Sequence, residues 1–417
     1  MHTLNVTPSA EARLGELKRK FEEQTTLPEK TGFTNCHIHT SYSFSPYSPS
    51  EAVWRAYQAG LATAGIMDHD SVSGAKEFIR AGEIVGLPVT VGIECRVRTD
   101  GTPLYGRRIN NPDQLSVAYL AIHGIPHGMI DRVDEFIAPY REKRNLRNRK
   151  MCEKINEITK DSGITLDFDR DVLPISMNIE GGSVTERHLL FALTKKITAL
   201  CPTPEEAVAF IQDKLGVALS DKVKGQILLG RETPDYYEYD ILGALKSGLV
   251  SKFYIDATDE CPHITEFIAL AEEIGAVSAY AYLGDVTDSV TGDKKAQKFE
   301  DDYLPLLMDT LKDLGFRAVT YMPSRNTDVQ LARIMEFCRS YGFFEISGED
   351  INSSRQSFIC PALAKPECAH LAPAAFALIG HELAATENID KGMFRPEAIE
   401  KFPDMTSRVN YYSKLEF

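Results

Sequence analysis

No CxxC pair occurs among the eight cysteines of this 417-residue chain, which are Cys36, Cys95, Cys152, Cys201, Cys261, Cys338, Cys360 and Cys368. Their scatter excludes a structural zinc knot or a redox pair and fits reduced thiols in a cytoplasmic protein. Long apolar runs are missing too: none reaches the roughly 20 residues that a membrane span requires, so no membrane partner is expected. Met1 to Lys30 is polar and lacks the apolar core of a signal peptide. Positive charge is in deficit, with 46 basic against 60 acidic residues and a formal charge of -14. That balance works against nucleic acid as an extended partner, because phosphate contacts need clustered Lys and Arg, although a local basic pocket is still allowed. Internal repeats and low-complexity segments are absent. What is present, 43% hydrophobic and 25% charged residues, is the composition of a soluble globular protein with a large core.

The length exceeds an ordinary single domain but suits a barrel of alternating strands and helices with an insertion. Residues 9–24 read as an amphipathic helix within an N-terminal segment, 1–30. From Gly32 to His123, apolar strand-like runs alternate with helical patterns, which predicts a parallel sheet. The first helix starts at Pro49-Ser50-Glu51 and stops at Gly60; the next covers Gly74 to Val85, and Leu115 to Ile122 reads as a fourth strand. Residues 131–274 read as a mostly helical inserted domain. Strands resume at Ala276 to Ala281, Arg317 to Tyr321 and Phe343 to Ile346, with helices over Asp328 to Tyr341 and Leu371 to Thr386. The barrel is thus expected over 31–130 and 275–417.

His37-Ile38-His39 closes a strand-like run, and residues two apart on a strand share a face, so both imidazoles aim at one point. Two further runs end in ligand-type residues, Met67-Asp68-His69-Asp70 and Gly92-Ile93-Glu94. A lone His-x-His is weak; three such strand ends within about one hundred residues point to metal chemistry, because parallel sheets bind ligands at that carboxyl edge. Asp68 and Asp70 either bind metal or orient the imidazoles, and Asp68 is kept among the candidate ligands. One of His123 and His127 is expected to be a ligand, with His123 favoured because it lies nearer the strand end.

These motifs resemble the PHP family, the polymerase-and-histidinol-phosphatase domain. His37-Ile38-His39, Met67-Asp68-His69-Asp70 against Thr-Asp-His-Asp, Gly92-Ile93-Glu94, and Ser347-Gly348-Glu349-Asp350-Ile351-Asn352 against a late Gly-Ser-Asp-x-His carry the resemblance. It implies an α/β fold, a distorted (β/α)7 barrel of PHP type, here with the helical insertion. It further implies His37, His39, His69, Glu94 and Asp350 as ligands for divalent Zn, Mn or Fe, two ions or one, and hydrolysis of a phosphate ester in a small phosphorylated substrate. Two adjacent cations would activate a bridging water for in-line attack. Arg187, in Arg187-His188 like the family's Arg-x-His, and Arg325, just past a strand, are the catalytic candidates for neutralising phosphoryl charge.

Departures from the family pattern set up the competing readings. Ser41-Tyr42-Ser43-Phe44-Ser45 offers no Asp after His-x-His, Tyr280 and Tyr282 stand near the place of a late His, and Asn352 replaces another. A PHP-like binding or regulatory module with a degenerate site is therefore the alternative to a hydrolase. An amidohydrolase-type barrel ranks lower, since Lys252 and His263 match its bridging Lys and later histidines poorly.

Overall fold

A computed structural model describes residues 9–286 and 297–415. The residues of the N-terminal segment and of the final barrel portion that fall outside these bounds lie outside the described structure.

The N-terminal helix α1 spans Ala10–Glu23, capped by the Ser9 hydroxyl. Strand β1 (Thr34–Ile38), helix α2 (Pro49–Gln58), strand β2 (Thr63–His69), helix α3 (Ala75–Val85) and strand β3 (Val89–Arg98) then form two strand-helix-strand units. Local chemistry sets their limits. The Ser48 hydroxyl accepts the Glu51 N–H at 3.2 Å and Pro49 occupies the first turn of α2, a position where its missing N–H costs nothing.

Strand β4 (Val117–His123) breaks the expected parallel order: it pairs antiparallel with β3. The reason is that residues 99–116 form no helix, and without a crossover element the chain returns beside the strand it left. Between β4 and the next strand the chain is helical: α4 (Ile130–Thr159), α5 (Glu186–Leu200), α6 (Pro204–Ala209), α7 (Asp221–Leu228), α8 (Pro234–Phe253) and α9 (Ile264–Ile274). Strand β5 (Val277–Ala281) is antiparallel to β4. Helix α10 (Leu304–Leu314), strand β6 (Ala318–Tyr321), helix α11 (Asp328–Tyr341), strand β7 (Phe344–Ser347) and helix α12 (Leu371–Glu387) follow, with β5, β6 and β7 parallel.

The seven strands lie in chain order in one nearly closed, barrel-shaped sheet. The gap between β7 and β1 is bridged where Ile38 pairs with Ile351, by the His39 N–H on the Ile351 carbonyl (3.0 Å) and the Ile351 N–H on the His37 carbonyl (3.2 Å). Gly348 permits this closure. A Cβ there would lie 2.7 Å from both the backbone N and the Cβ of His37, closer than any side chain tolerates.

Three large apolar cores and a small cluster of Val117, Ala257 and Cys261 hold the described residues together. The barrel strands pack with α2, α3, α9 and the first turns of α4 (Ile130, Val133, Ile137). A second core lies within the helical segment, from Met151 and Ile155 of α4 through Leu189, Leu193 and Ile197 of α5 to Ile241, Leu245 and Phe253 of α8. One residue from the barrel side enters it, Phe44. The third sets Ala374, Ala377 and Leu378 of α12 against Cys36, Met67, Ala279 and Phe344. This helix bears on the expectation of no long apolar run: with the turn before it, Pro366–Glu387 is 22 residues long and holds an 18-residue window of mean hydropathy 1.2, long and apolar enough to cross a membrane by length and composition. Of that window 61% is buried inside the molecule, as for a helix packed into a core.

Candidate metal centre

Barrel closure brings the ligand-type residues together. His37 and His39 share a face, and their Nε2 atoms stand 3.2 Å apart. His69 is paired in register with Glu94 on neighbouring strands, so their side chains rise side by side, His69 Nδ1 lying 3.1 Å from Glu94 Oε2. The same carboxylate oxygen is 3.9 Å from His37 Nε2. The bridge at Ile351 brings its neighbour Asp350 to the rim, with Oδ1 3.1 Å from His39 Nε2. One ligand atom each from His37, His39 and Glu94 fall within 4.8 Å of one another, and all three residues are buried. Around a tetrahedral ion with ligand bonds of 2.0–2.1 Å, neighbouring donors lie roughly 3.3 Å apart, so the spacing fits an ion held among them.

Proton placement makes the same case. Asp68 is placed differently from the ligand role considered for it: Oδ1 accepts from the Thr40 N–H (2.7 Å) and the Ser43 hydroxyl (2.6 Å), and Oδ2 accepts from the Thr40 hydroxyl (2.6 Å). Its connection to the cluster runs through Ser43. Having given its proton to Asp68, the Ser43 oxygen can only accept from His39 Nδ1, 3.3 Å away. That places a proton on His39 Nδ1 and turns Nε2, the lone-pair nitrogen of the neutral imidazole, toward Asp350 and His37. Acceptors this close repel unless a proton or a cation sits among them.

The electrostatics agree. Burial acts to raise the carboxyls of Glu94 and Asp350, yet the hydrogen bond and charge of His69 at Glu94, and of His39 at Asp350, hold both below the usual range. Burial depresses His37, whereas for His39 the hydrogen bond and charge of Asp350 outweigh burial and raise it.

His123 and His127 separate clearly. His123, 1% exposed at the end of β4, has a buried Nε2 with no hydrogen-bond partner, and burial pushes its imidazole down to about 3, with His37 and Glu94 as its charged neighbours. A neutral imidazole with an orphaned nitrogen is the form a metal takes. His127 instead bonds Glu382 of α12 (3.0 Å), away from the cluster.

Arg187, at the start of α5, reaches Asp350's loop: its Nη1 donates to the Asn352 carbonyl at 3.4 Å and its charge helps hold Asp350 ionised. Arg325 lies half-buried in the turn after β6, beside Ser324, whose hydroxyl donates to Glu349 (2.7 Å). Asn352 Nδ2 donates to Asp350 Oδ1 at 2.5 Å, so it orients a candidate ligand. Tyr280 and Tyr282 turn elsewhere, their hydroxyls donating to Glu300 (3.1 Å) and Asp301 (2.5 Å). His188 is buried rather than on the surface and accepts the Thr185 N–H, capping α5 (2.9 Å). His263 caps α9 and meets the Asp100 carbonyl (2.7 Å).

Sequence reasoning passed over a buried ionic cluster beside this centre. Arg96, two residues past Glu94, and Arg144 and Arg147 of α4 face Glu186, Glu260 and Asp70. Arg141, Arg144 and Arg147 recur every third residue on one helix face, a signal visible in the chain; their partners are not.

Residues 35–171 match the family model for the PHP domain. Over 69 residues the chain is 32% identical to the 5'-3' exoribonuclease of Haemophilus influenzae, covering 16% of this chain and 25% of that protein. Over 85 residues it is 29% identical to the error-prone DNA polymerase of Cutibacterium acnes, covering 19% of this chain and 8% of the polymerase. The chain thus spans a quarter or less of these relatives. Among solved structures, a metal-dependent phosphoesterase of Bifidobacterium adolescentis, so named provisionally, superposes with a TM-score of 0.54 at 18% identity, over 83% of this chain and 96% of that one. An amidohydrolase of Chromobacterium violaceum, solved with bound sulfate and no metal, gives a TM-score of 0.50 at 16% identity, over 78% and 89% of the two chains. These two likenesses establish the fold.

Proposed function

We infer that this chain, which carries a PHP domain, is a metal-dependent phosphoesterase that hydrolyses a mono- or diester in a small phosphorylated substrate. One observation carries the reading: the imidazoles of His37 and His39 and the carboxylates of Glu94 and Asp350 converge, with the unpartnered Nε2 of His123 close to His37 and Glu94. Neutral imidazoles with carboxylates suit Zn, Mn or Fe better than Mg or Ca. When bound, two ions or one would supply Lewis acidity and an activated water for attack on phosphorus. Ser43 and Asp68 orient His39, and Asn352 orients Asp350. Arg187 meets the phosphoryl oxygens at the rim, where a guanidinium pairs with them in planar geometry; Arg325 is the second candidate. The eight free, buried thiols support a reducing, cytoplasmic location.

The test is release of phosphate or nitrophenol from p-nitrophenyl phosphate and bis(p-nitrophenyl) phosphate after loading with Mn or Zn. Turnover that disappears in His39→Ala supports the reading; no turnover of either ester by metal-loaded protein overturns it. The tyrosines turned toward Glu300 and Asp301 favour the second reading, a binding or regulatory module with a reduced site, which requires weak metal binding and no turnover. Hydrolysis of amides or lactones in place of phosphate esters would instead support amidohydrolase chemistry, to which the capping role of His263 gives no help.

A further inference from the structure

Phe44 has φ of +105°, a backbone conformation that L side chains rarely adopt. A glycine would take this turn without strain. Its ring accounts for the choice: it leaves the barrel's first loop and enters the core of the helical segment. There it meets His188 edge-on at 4.9 Å, Phe191 at 5.7 Å and Tyr239 at 6.1 Å, and is 7% exposed. The residue before it is Ser43, whose oxygen stands between Asp68 and His39 Nδ1. Beside it the Tyr42 carbonyl accepts the Ser183 N–H of the helical segment at 2.7 Å. Strain held at one residue by packing, next to a residue that orients a ligand, is the pattern of a functional constraint.

We propose that Phe44 is a positioning residue: by gripping its ring, the helical segment holds Ser43 Oγ against Asp68 and so aims the His39 Nε2 lone pair at the cation. The proposal rests on the metal-centre reading above. It makes the helical segment part of the metal site although, among the candidate ligands, it contributes none. Because the Arg187 guanidinium also lies 6.0 Å from the Phe44 ring, activity would mix two effects, and cobalt binding separates them.

The experiment titrates metal-free protein with Co(II) and reads the visible absorption of the bound ion and its dissociation constant, with thermal unfolding followed in parallel. Ser43→Ala should weaken binding about 10- to 100-fold, the range for losing a group that orients a metal ligand. Phe44→Ala and Phe44→Gly should weaken it by a comparable factor and shift the absorption band, while Phe44→Leu, which refills the apolar site, should stay within a few-fold of wild type. Ser43→Ala combined with Phe44→Ala should bind no more weakly than the poorer single variant, because one acts through the other. Should the Phe44 variants fail to fold, Tyr239→Ala loosens the same grip from the helical side and should be equally non-additive with Ser43→Ala. Phe44→Ala with lowered thermal stability but wild-type cobalt affinity, or a double variant that shows the product of both losses, overturns the proposal. Wild-type protein that takes up no cobalt overturns the metal-centre reading beneath it.

Discussion

Replacing Glu186 by glutamine removes one charge from a buried cluster that is otherwise balanced, Arg96, Arg144 and Arg147 against Glu186, Glu260 and Asp70. Glu186 is its hub, accepting from Arg147 at 2.5 Å and from Arg96 and Arg144 at 3.3 Å each. The three arginines are 4%, 4% and 5% exposed and the Glu186 side chain 19%, so water reaches the carboxyl but little of the guanidiniums it serves. Breaking a buried pair by removing one partner costs about 3–5 kcal/mol. Glu260 and Asp70 stay to share the guanidiniums, which sets the expectation for Glu186→Gln at the low end, about 3 kcal/mol. Urea unfolding at pH 7 measures it as a fall in midpoint. The pH dependence follows from the carboxyl itself. Burial acts to raise Glu186, but the charges of Arg96, Arg147 and Arg144 overcome it and hold it well below the usual range. A carboxyl lowered in the folded state contributes stability that is complete above its unfolded value, about 4.3, and is lost as pH falls through the folded value. The deficit of Glu186→Gln should therefore be full at pH 7 and shrink on acidification below about pH 4. A variant within about 1 kcal/mol of wild type at pH 7, or a deficit that grows in acid, refutes the reasoning.

Other expectations follow from the same structure. Burial pushes Glu300 up to about 7. A carboxyl raised by folding favours the folded state below its unfolded pKa and loses that contribution as pH rises through the folded value, so Glu300→Gln should stabilise the protein at pH 8, by on the order of 3 kcal/mol, and not at pH 4. Equal effects in thermal unfolding at the two pH values would contradict this. Arg187→Met should lower nitrophenyl phosphate hydrolysis roughly 10- to 100-fold, about 2 kcal/mol, and exceed the effect of Arg325→Met; the reverse order would move the substrate to the other side of the pocket. His123→Ala should reduce bound metal in elemental analysis while His127→Ala, which loses only the bond to Glu382, leaves it unchanged. Loss in His127→Ala alone would exchange their roles.

How far the chain could be read from its residues depended on the range of the forces involved. Helix α11, expected over Asp328 to Tyr341, forms over those same residues, because caps and apolar periodicity act within a few positions. His37 and His39 were legible as a pair because strand geometry alone puts them on one face. The direction of β4 was not, since it depends on the lack of a helix in residues 99–116, where no periodic pattern gives warning. Ser43 looked like the mere absence of an acid, and Asp68 could be read as a ligand or as an orienting acceptor; their joint contact rests on a bond between residues 25 positions apart. The same holds for Glu186, whose partners come from β3 and α4, and for Asp350, which joins His39 only because the Ile38–Ile351 bridge closes the barrel. Residues that act through long-range contacts carry no local mark of it.

The most direct test of a metal-dependent centre is the metal content per chain, by elemental analysis, of protein purified without chelator or affinity metal and dialysed against Mn. Convergent donors at His37, His39, Glu94 and Asp350 require at least one equivalent of Zn, Mn or Fe, and two if the His123 nitrogen is also engaged, with the loss of bound metal in His39→Ala. Wild-type protein that holds no metal, or a His39→Ala variant that keeps it all, would contradict the assignment.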